Sequence, residues 1–352
     1  MNVVKRLDIG IKIPKQVEFY VFIIIIVLSV IIQAKSGLFF TNNNIMDLLR
    51  SMIVPSIYAI CALLSFVSTG GPDVSFPLIA ALSSHLATTI TINIGYDGSI
   101  ICVFLIAVFF GLLMGALNGW IIVKYKFPTL IVTLGTSSIF SGLLLGAFGA
   151  ERIALPGVMM RFARASLLTV RNAETGLSSS LPFTFLILVF LYIVIYLVLN
   201  FTMVGRGVYA VGGDEISAQR AGFAVNKIIF GVLAVNGAVA AIAGVCYTVM
   251  SRRYLPTEFA GTEMTVIAAV ILGGVRLTGG VGTLRGCVLG TLLLTIVSNS
   301  LILIGVSVYW QKVFVGGIII IGTAISAIQS RRAAKLSQER EADNYAVRKE
   351  IT

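Results

Sequence analysis

The residues of this chain that could do chemistry are polar side chains set inside long apolar runs. Asp73 in GGPDVSFP and Glu263 in GTEMTV stand out, because a charge at membrane depth costs about 2.5–3.5 kcal/mol on insertion scales. Asn118 in GALNGW and Asn299 in VSNSL add uncharged amides. With neighbouring hydroxyl and aromatic groups, these side chains could line a polar path through an apolar bundle. The candidates for this path are Asp73, Ser75, Phe76, Asn118, Thr133, Thr136, Glu263 and Asn299.

Several of these candidates have a purely structural alternative. Asp73 could line or gate a pathway, or its carboxylate could accept free backbone N–H groups at a helix start. Both alternatives stay open for Asp73. For Asn118 and Asn299, hydrogen bonds that join neighbouring helices are favoured over a place in a pathway. Thr133 and Thr136 are expected to bond the backbone of their own helix.

Motifs for covalent catalysis and nucleotide binding are absent from the sequence. No GxxxxGKS or GxxxxGKT motif is present, and the glycine pairs Gly212-Gly213 and Gly279-Gly280 lack its lysine. The single histidine, His85, leaves almost no material for histidine-based acid–base catalysis. The cysteines and the histidine show no metal-ligand spacing. The chain is therefore expected not to be an enzyme, and to have no cofactor, metal site or ATP pocket of its own.

Long apolar segments must position the polar candidates. The chain has 352 residues, 57% of them hydrophobic and only 12% charged, whereas about a quarter are charged in soluble domains. A membrane span needs about 20 mainly apolar residues. Segments of this kind lie at about 19–34, 45–68, 73–92, 99–122, 128–147, 182–200, 227–249, 263–275, 283–304 and 309–329. We therefore predict an all-α, polytopic membrane helix bundle of about ten transmembrane helices.

The third and eighth segments are predicted to be short or discontinuous spans. Pro72 and Pro77 interrupt the third, and the eighth ends in Gly273-Gly274. Irregular backbone at membrane depth is tolerated only where it faces protein or a water-filled cavity. These two segments are therefore expected to lie inside the bundle.

The distribution of lysine and arginine predicts the orientation. Most of the 26 cations lie in segments that share one side of the membrane with the N-terminus, and the positive-inside rule makes that side the cytoplasm. The expected organisation is a cytoplasmic N-terminal segment at 1–18, a transmembrane domain at 19–329 with an outer loop at 148–181 and a cytoplasmic loop at 201–226, and a cytoplasmic tail at 330–352. The outer loop is expected to carry a short amphipathic helix around VMMRFARASLL.

The loop 201–226 carries a second functional signal. A helix is predicted from about Glu215 to Phe223, with Asp214 as its N-cap. Such a helix cannot span a membrane, and it lacks the apolar face needed to lie in the lipid interface. It suits docking into a groove on a partner protein, whereas the structural alternative is a plain connecting loop.

Five motifs in order along the chain indicate a family. They are GGPDVSFP, GALNGW, FPTLIVTLGT, VGRGVYAVGGDEISAQRAGFAV and GTEMTVIAAVILGGVRLTGGVGT. Together they resemble the corresponding stretches of the ribose/xylose/galactose-type permeases of bacterial ABC importers, a family that extends to permeases for nucleosides and branched-chain amino acids. The resemblance runs from about Pro55 to Ile328. The chain departs from the family pattern at Pro72, Val74, Phe76, Pro77, Asp214 and Ser300.

The resemblance implies that loop 201–226 docks on a separate ATP-binding cassette ATPase subunit. The coupling residues in this loop would be Gly205, Arg206, Asp214, Glu215, Ser217, Ala218, Arg220 and Gly222. The implied importer has a second permease subunit, identical or different, and two ATPase subunits or one tandem protein that binds the ATP. A periplasmic or extracellular solute-binding protein completes it, and the bacterial cytoplasmic (inner) membrane is the expected location.

The resemblance implies import of a small polar solute, with a monosaccharide expected and a nucleoside or a branched-chain amino acid as the alternative. Two other classes compete with this interpretation. An ion-coupled secondary transporter would need paired or chained acids within the membrane, and Asp73 and Glu263 are the only deep candidates. A scaffolding membrane protein would transport nothing.

Overall fold

Apolar runs fold as helices in lipid, because hydrocarbon offers the backbone no hydrogen-bond partner and a helix satisfies its own N–H and C=O groups. A computed structural model describes residues 15–149, 151–171 and 178–307, and the single residues 310, 313, 316, 317 and 320. Its α-helices are α1 (Lys15–Ser36), α2 (Asn42–Thr69), α3 (Phe76–Asn93), α4 (Ile100–Tyr125), α5 (Thr129–Gly142), α6 (Gly157–Arg164), α7 (Thr184–Phe201), α8 (Met203–Gly213), α9 (Glu215–Arg220), α10 (Val225–Ser251), α11 (Glu263–Leu272) and α12 (Leu284–Ser300).

Seven helical segments among the described residues are long and apolar enough to cross a membrane. They are Val17–Ser36, Asn42–Thr69, Ile100–Tyr125, Thr129–Ala147, Thr184–Phe201, Val225–Ser251 and Leu284–Ile304. The expected helical membrane bundle is confirmed in this coarse form. Helices α3 and α11 are not among the seven, and α11 has only 10 residues, which span about 15 Å. The count of about ten stays a prediction, because the tenth segment lies mostly outside the described residues.

Helix α2 lies at the centre of the bundle. In its most apolar window 89% of the residues are buried, and the helix contacts α3, α7, α8, α10, α11 and α12. Ile53, Ile57, Ile60 and Phe66 are fully enclosed by these neighbours. The helix ends at Gly70, which adopts the left-handed conformation with φ 64°. The chain then turns back into the bundle, where it enters α3.

Glycines set the closest helix contacts in the bundle. A Cβ atom on Gly111 or Gly115 of α4 would collide with the backbone of α10 at Gly237 and Leu233. A Cβ on Gly290 of α12 would likewise collide with the backbone of α11. Small residues spaced four apart permit such backbone approach. The spacing of these glycines in the sequence predicts this tight packing, and the structure confirms it.

The segment between α5 and α7 departs from the expected all-α fold. Helix α6 is the expected amphipathic helix, and Arg161 at its C-terminal end forms a 2.7 Å ion pair with Asp97. The expected helix around 158–168 ends four residues early, since Ala165 is extended. Strand β1 (Ser166–Arg171) follows and pairs antiparallel with β2 (Ser178–Pro182). The pairing of these two strands satisfies backbone groups that a longer helix would have satisfied internally.

Candidate functional site

Asp73 and Ser75 form the centre of a buried polar cluster at the start of α3. The backbone N–H of Ser75 and its hydroxyl both donate to Oδ1 of Asp73, at 2.8 and 2.6 Å. Only 1% of the Asp73 surface is exposed. The N-cap position of α3 belongs to Ser75, which makes no side-chain capping bond. Asp73 therefore stabilises the turn that leads into α3 and does not cap the first turn of the helix itself.

Two further helices contribute to this cluster. The amide Nδ2 of Asn118 on α4 donates to the Ser75 hydroxyl at 2.9 Å. The hydroxyl of Thr133 on α5 accepts from the backbone N–H of Val74 at 3.3 Å and donates to a carbonyl of its own helix. The predicted helix-joining role of Asn118 and the predicted backbone bond of Thr133 are both present. The cluster thus fastens the α2–α3 turn to α4 and α5.

Asn236 on α10 belongs to the cluster but is not among the candidates predicted from the sequence. Its amide lies near the Asp73 carboxylate, and its Nδ2 donates to the carbonyl of Cys61 at 3.0 Å. An asparagine followed by glycine inside an apolar run marks this position, as it marks Asn118. The polar cluster, defined as Asp73, Ser75, Asn118, Thr133 and Asn236, therefore joins four structural elements.

The cluster offers unused hydrogen-bonding capacity. The amide oxygens Oδ1 of Asn118 and of Asn236 are buried and accept no hydrogen bond within the described part of the chain. Each side chain is 1% exposed. A buried acceptor without a donor carries a cost of about 1–3 kcal/mol, which a hydroxyl group of a bound solute would relieve.

Phe76 and Thr136 lie beside the cluster and are occupied by packing. Phe76 is fully buried, and its ring centroid lies 5.1 Å from that of Tyr58. The Thr136 hydroxyl donates to the carbonyl of Thr133 at 3.4 Å, which is the expected bond to its own helix. Neither side chain faces an open passage in this conformation.

Glu263 and Asn299 lie apart from the cluster, at one end of the α11–α12 pair. Gly290 packs on Ala269 and Gly286 on Gly273, so the two helices run antiparallel. This register places the start of α11, with Glu263, beside the end of α12, with Asn299. The Oε2 atom of Glu263 is buried without a hydrogen-bond partner among the described residues.

Loop 201–226 contains two helices, α8 and α9, whereas the sequence predicts one. Helix α8 begins after Thr202, whose hydroxyl accepts from the N–H of Gly205 at 3.1 Å. Gly205 is buried against the carbonyls of Val198 and Leu199, which leave no room for a Cβ atom. Helix formation by this glycine-rich stretch depends on packing, because four glycines in eleven residues oppose it by intrinsic propensity.

The predicted helix in this loop is present as α9, which begins at Glu215 as expected but ends at Arg220, three residues before the predicted end at Phe223. Asp214 accepts hydrogen bonds from the N–H groups of Ile216 and Ser217 at 2.8 and 3.1 Å, which confirms it as the N-cap. These bonds, first of all the one from the Ser217 backbone, hold the pKa of Asp214 below its usual range. The helix ends in a turn where Gly222 has φ +89° and Phe223 N–H donates to the Ala218 carbonyl.

Helix α9 presents most of its surface outward. Ala218 is buried against the bundle, while Glu215, Ser217 and Arg220 are exposed, as Arg206 is on α8. Ile216 is also 63% exposed, although contact of a large apolar side chain with water is unfavourable. A single exposed apolar side chain is ordinary on a protein surface, so Ile216 is of interest only because it lies on the helix that is expected to dock on a partner. Ile216 is not among the coupling residues predicted from the sequence, although its place as a lone large apolar residue between polar neighbours distinguishes it there.

A junction of glycines ties this loop to the bundle. A Cβ atom on Gly212 would fall on the carbonyl of Val67 in the last buried turn of α2, and one on Gly279 would collide with Gly212 and Gly70. The N–H of Gly280 donates to the same Val67 carbonyl at 3.2 Å. The end of α2, the end of α8 and the loop after α11 therefore meet backbone to backbone, directly before α9.

Comparison with known proteins places this geometry in context. The family described as "branched-chain amino acid transport system / permease component" matches residues 44–323. The ribose import permease of Haemophilus influenzae is 30% identical over 292 residues, which cover 83% of this chain and 87% of that protein. The ribose import permease of Bacillus subtilis is 29% identical, over 88% of this chain and 92% of that protein. The xylose transport system permease of H. influenzae is 26% identical, over 90% and 99% respectively.

Proposed function

Because this chain belongs to the family of branched-chain amino acid transport system permease components, we propose that it is the membrane-spanning subunit of an ATP-driven solute importer. The proposed solute is a monosaccharide, since the similar proteins include ribose and xylose permeases. A separate ATP-binding cassette subunit hydrolyses the ATP, and a solute-binding protein delivers the sugar from outside. A second permease subunit completes the membrane part.

The geometry of α9 carries this proposal. The helix is capped by Asp214, anchored inward by Ala218 and closed by Gly222, and it exposes Glu215 and Ile216. In the proposed orientation, with both termini in the cytoplasm, it projects toward the ATPase subunit. Nucleotide-driven movement of α9 is passed to α2 and α11 through the backbone contacts of the glycine junction. The importer thereby changes between two conformations by a shift in their populations.

The polar cluster is the proposed part of the solute pathway within this subunit. A sugar carries many hydroxyl donors, and the amide oxygens of Asn118 and Asn236 are buried acceptors without donors among the described residues. Movement of the α2–α3 turn would open the contacts of Ser75 and expose these acceptors. Glu263 and Asn299, at the end of the α11–α12 pair, form a second polar position of the pathway. Binding at such positions must be weak enough to let the solute leave.

The coupling assignment is tested by charge reversal and by a bulky replacement on the α9 surface. Glu215→Lys and Gly222→Leu are expected to weaken co-purification of the ATPase subunit and to reduce sugar uptake, with normal membrane insertion. Gly222 has a left-handed φ of +89°, which a leucine adopts only at a cost. Glu151→Lys, an equal charge change at an exposed site outside loop 201–226, is the matched control. Normal co-purification and uptake in both α9 variants would remove the assignment.

The energy source separates the proposed importer from an ion-coupled transporter. Uptake of radiolabelled ribose or xylose by cells is expected to continue after ionophores collapse the proton and sodium gradients. It is expected to stop when ATP is depleted. The opposite pattern would assign the chain to secondary transport, in which intramembrane acids such as Asp73 would carry the coupling ion.

A further inference from the structure

A groove of about 460 Å³ lies between α9 and the turn that joins α4 to α5. Its lining includes Glu215 and Ile216 of α9, Phe223, Asn226, and the lysines Lys126 and Lys227. The volume is within the range of pockets that hold small molecules, about 300–1,000 Å³. The groove therefore extends the exposed surface of α9 onto a part of the chain far away in sequence.

Lys126 forms one edge of this groove. It follows α4 in the left-handed conformation with φ 55°, which is uncommon for a residue other than glycine. Its Nζ donates to Oδ1 of Asn226 at 2.7 Å, which ties the α4–α5 turn to the start of α10. Lys227 directly follows Asn226 in the sequence, so Asn226 lies between two exposed cations, Lys126 and Lys227.

The chemistry of the lining is mixed. Lys126 and Lys227 supply positive charge, Glu215 supplies negative charge, and Ile216 and Phe223 supply apolar surface. A lipid phosphate would meet the Glu215 carboxylate as well as the lysines. A protein loop that carries an acidic, an apolar and a hydrogen-bond-donating side chain can match all three kinds of lining group, because the donor meets the Glu215 carboxylate. Because α9 is one wall of the groove, whatever fills it also contacts α9.

We propose that this groove receives a loop of the ATPase subunit, whose acidic side chain binds between Lys126 and Lys227 while an apolar neighbour packs on Ile216. The inference rests on the proposed function, and it adds the α4–α5 turn to the contact surface. The ATPase subunit is thus held by two separated parts of the chain, α9 and the end of α4. Complementary charges of this kind set specificity and register as well as affinity.

The test measures the affinity of the full-length permease, in detergent, for its purified ATPase subunit. Lys126→Glu and Lys227→Glu are each expected to raise the dissociation constant about tenfold or more. Lys124→Glu is the matched control, because Lys124 lies 4.6 Å over the Trp120 ring and does not line the groove. It is expected to stay within about twofold of the parent protein. Lys126→Asn, which suits the left-handed conformation, separates loss of the charge from distortion of the turn and is expected to weaken binding as well.

Failure of the inference and failure of the proposed function give different results. If both lysine reversals bind the ATPase subunit as tightly as the parent while Glu215→Lys and Ile216→Asp do not, α9 docks alone and the groove is not part of the interface. If all four variants bind normally, the coupling role of loop 201–226 is overturned together with the groove. If Lys124→Glu weakens binding as much as the groove lysines, the effect is general electrostatics and the proposed site is wrong.

Discussion

The carbonyl of Val67 occupies the space in which a side chain on Gly212 would lie. The same carbonyl accepts a hydrogen bond from the N–H of Gly280 at 3.2 Å. One peptide group near the end of α2 therefore contacts both the end of α8 and the loop after α11. Helix α8, which directly precedes α9, cannot shift along α2 without disturbing this contact.

Gly212→Ala is expected to disrupt the junction, whereas Gly213→Ala is not. A Cβ at Gly212 collides with backbone, but one at Gly213 meets no atom within 4 Å. Overpacking of this kind costs about 1–3 kcal/mol. The apparent melting temperature in detergent and the ratio of sugar imported to ATP hydrolysed should fall for the first variant only. Equal melting temperatures and equal transport ratios for the two variants would mean that the junction neither stabilises the bundle nor couples α9 to it.

Asp214→Ala should loosen α9, and Asp214→Asn should preserve it. Asparagine keeps an oxygen that can accept from the N–H groups of Ile216 and Ser217, and it is as good an N-cap as aspartate. Amide hydrogen exchange over 215–220 reports the difference, with faster exchange in the alanine variant alone. Similar exchange in both variants would contradict the capping role.

The cap also predicts a direction of pH dependence. The hydrogen bonds to Asp214 hold its pKa below the usual range, so the stabilisation is complete above about pH 4, the ordinary aspartate pKa. The part of it that depends on the charge is lost only as the pH falls through the lowered value, because protonation removes the charge that strengthens these bonds. Exchange over 215–220, corrected for its intrinsic pH dependence, should therefore show unchanged protection between about pH 5 and pH 8. A loss of protection within that interval would show that another group controls the helix.

Asn236→Leu is expected to damage the polar cluster. The leucine cannot donate to the Cys61 carbonyl or interact with the Asp73 carboxylate, and a buried polar group left unpaired costs about 1–3 kcal/mol. Thermal stability and sugar uptake should both fall. Asn200→Leu, at an exposed position where the amide bonds only its own helix, provides the control. An uptake loss without a stability loss would point to the amide oxygen as a solute contact.

Gly111→Ala and Gly135→Ala form a matched pair for the membrane packing. The first places a methyl group against the backbone of Gly237, and the second places it in open space. The first should lower the melting temperature, by an amount that corresponds to about 1–3 kcal/mol. The second should leave it unchanged or raised, since alanine favours helix over glycine. A lowered melting temperature for Gly135→Ala would place a further contact on that face of α5.

Most of the local structure follows from neighbouring residues. Apolar length alone predicts the helical membrane bundle, the residue type at Asp214 predicts where α9 begins, and the spacing of Gly111 and Gly115 predicts a close helix contact. These features depend on hydrogen bonds and side-chain sizes within a few residues of each other. The order of the five motifs along the chain likewise indicates the family.

The convergence of distant groups was decided only by the tertiary structure. Asn236 joins Asp73, Lys126 joins Asn226, and Gly212 meets Val67 because helices far apart in sequence pack side by side. Helix α8 is helical in spite of its glycines for the same reason, since burial against the bundle outweighs intrinsic propensity. Sequence spacing determines which face a residue occupies on its own helix, whereas the neighbour opposite that face depends on how all the helices pack together.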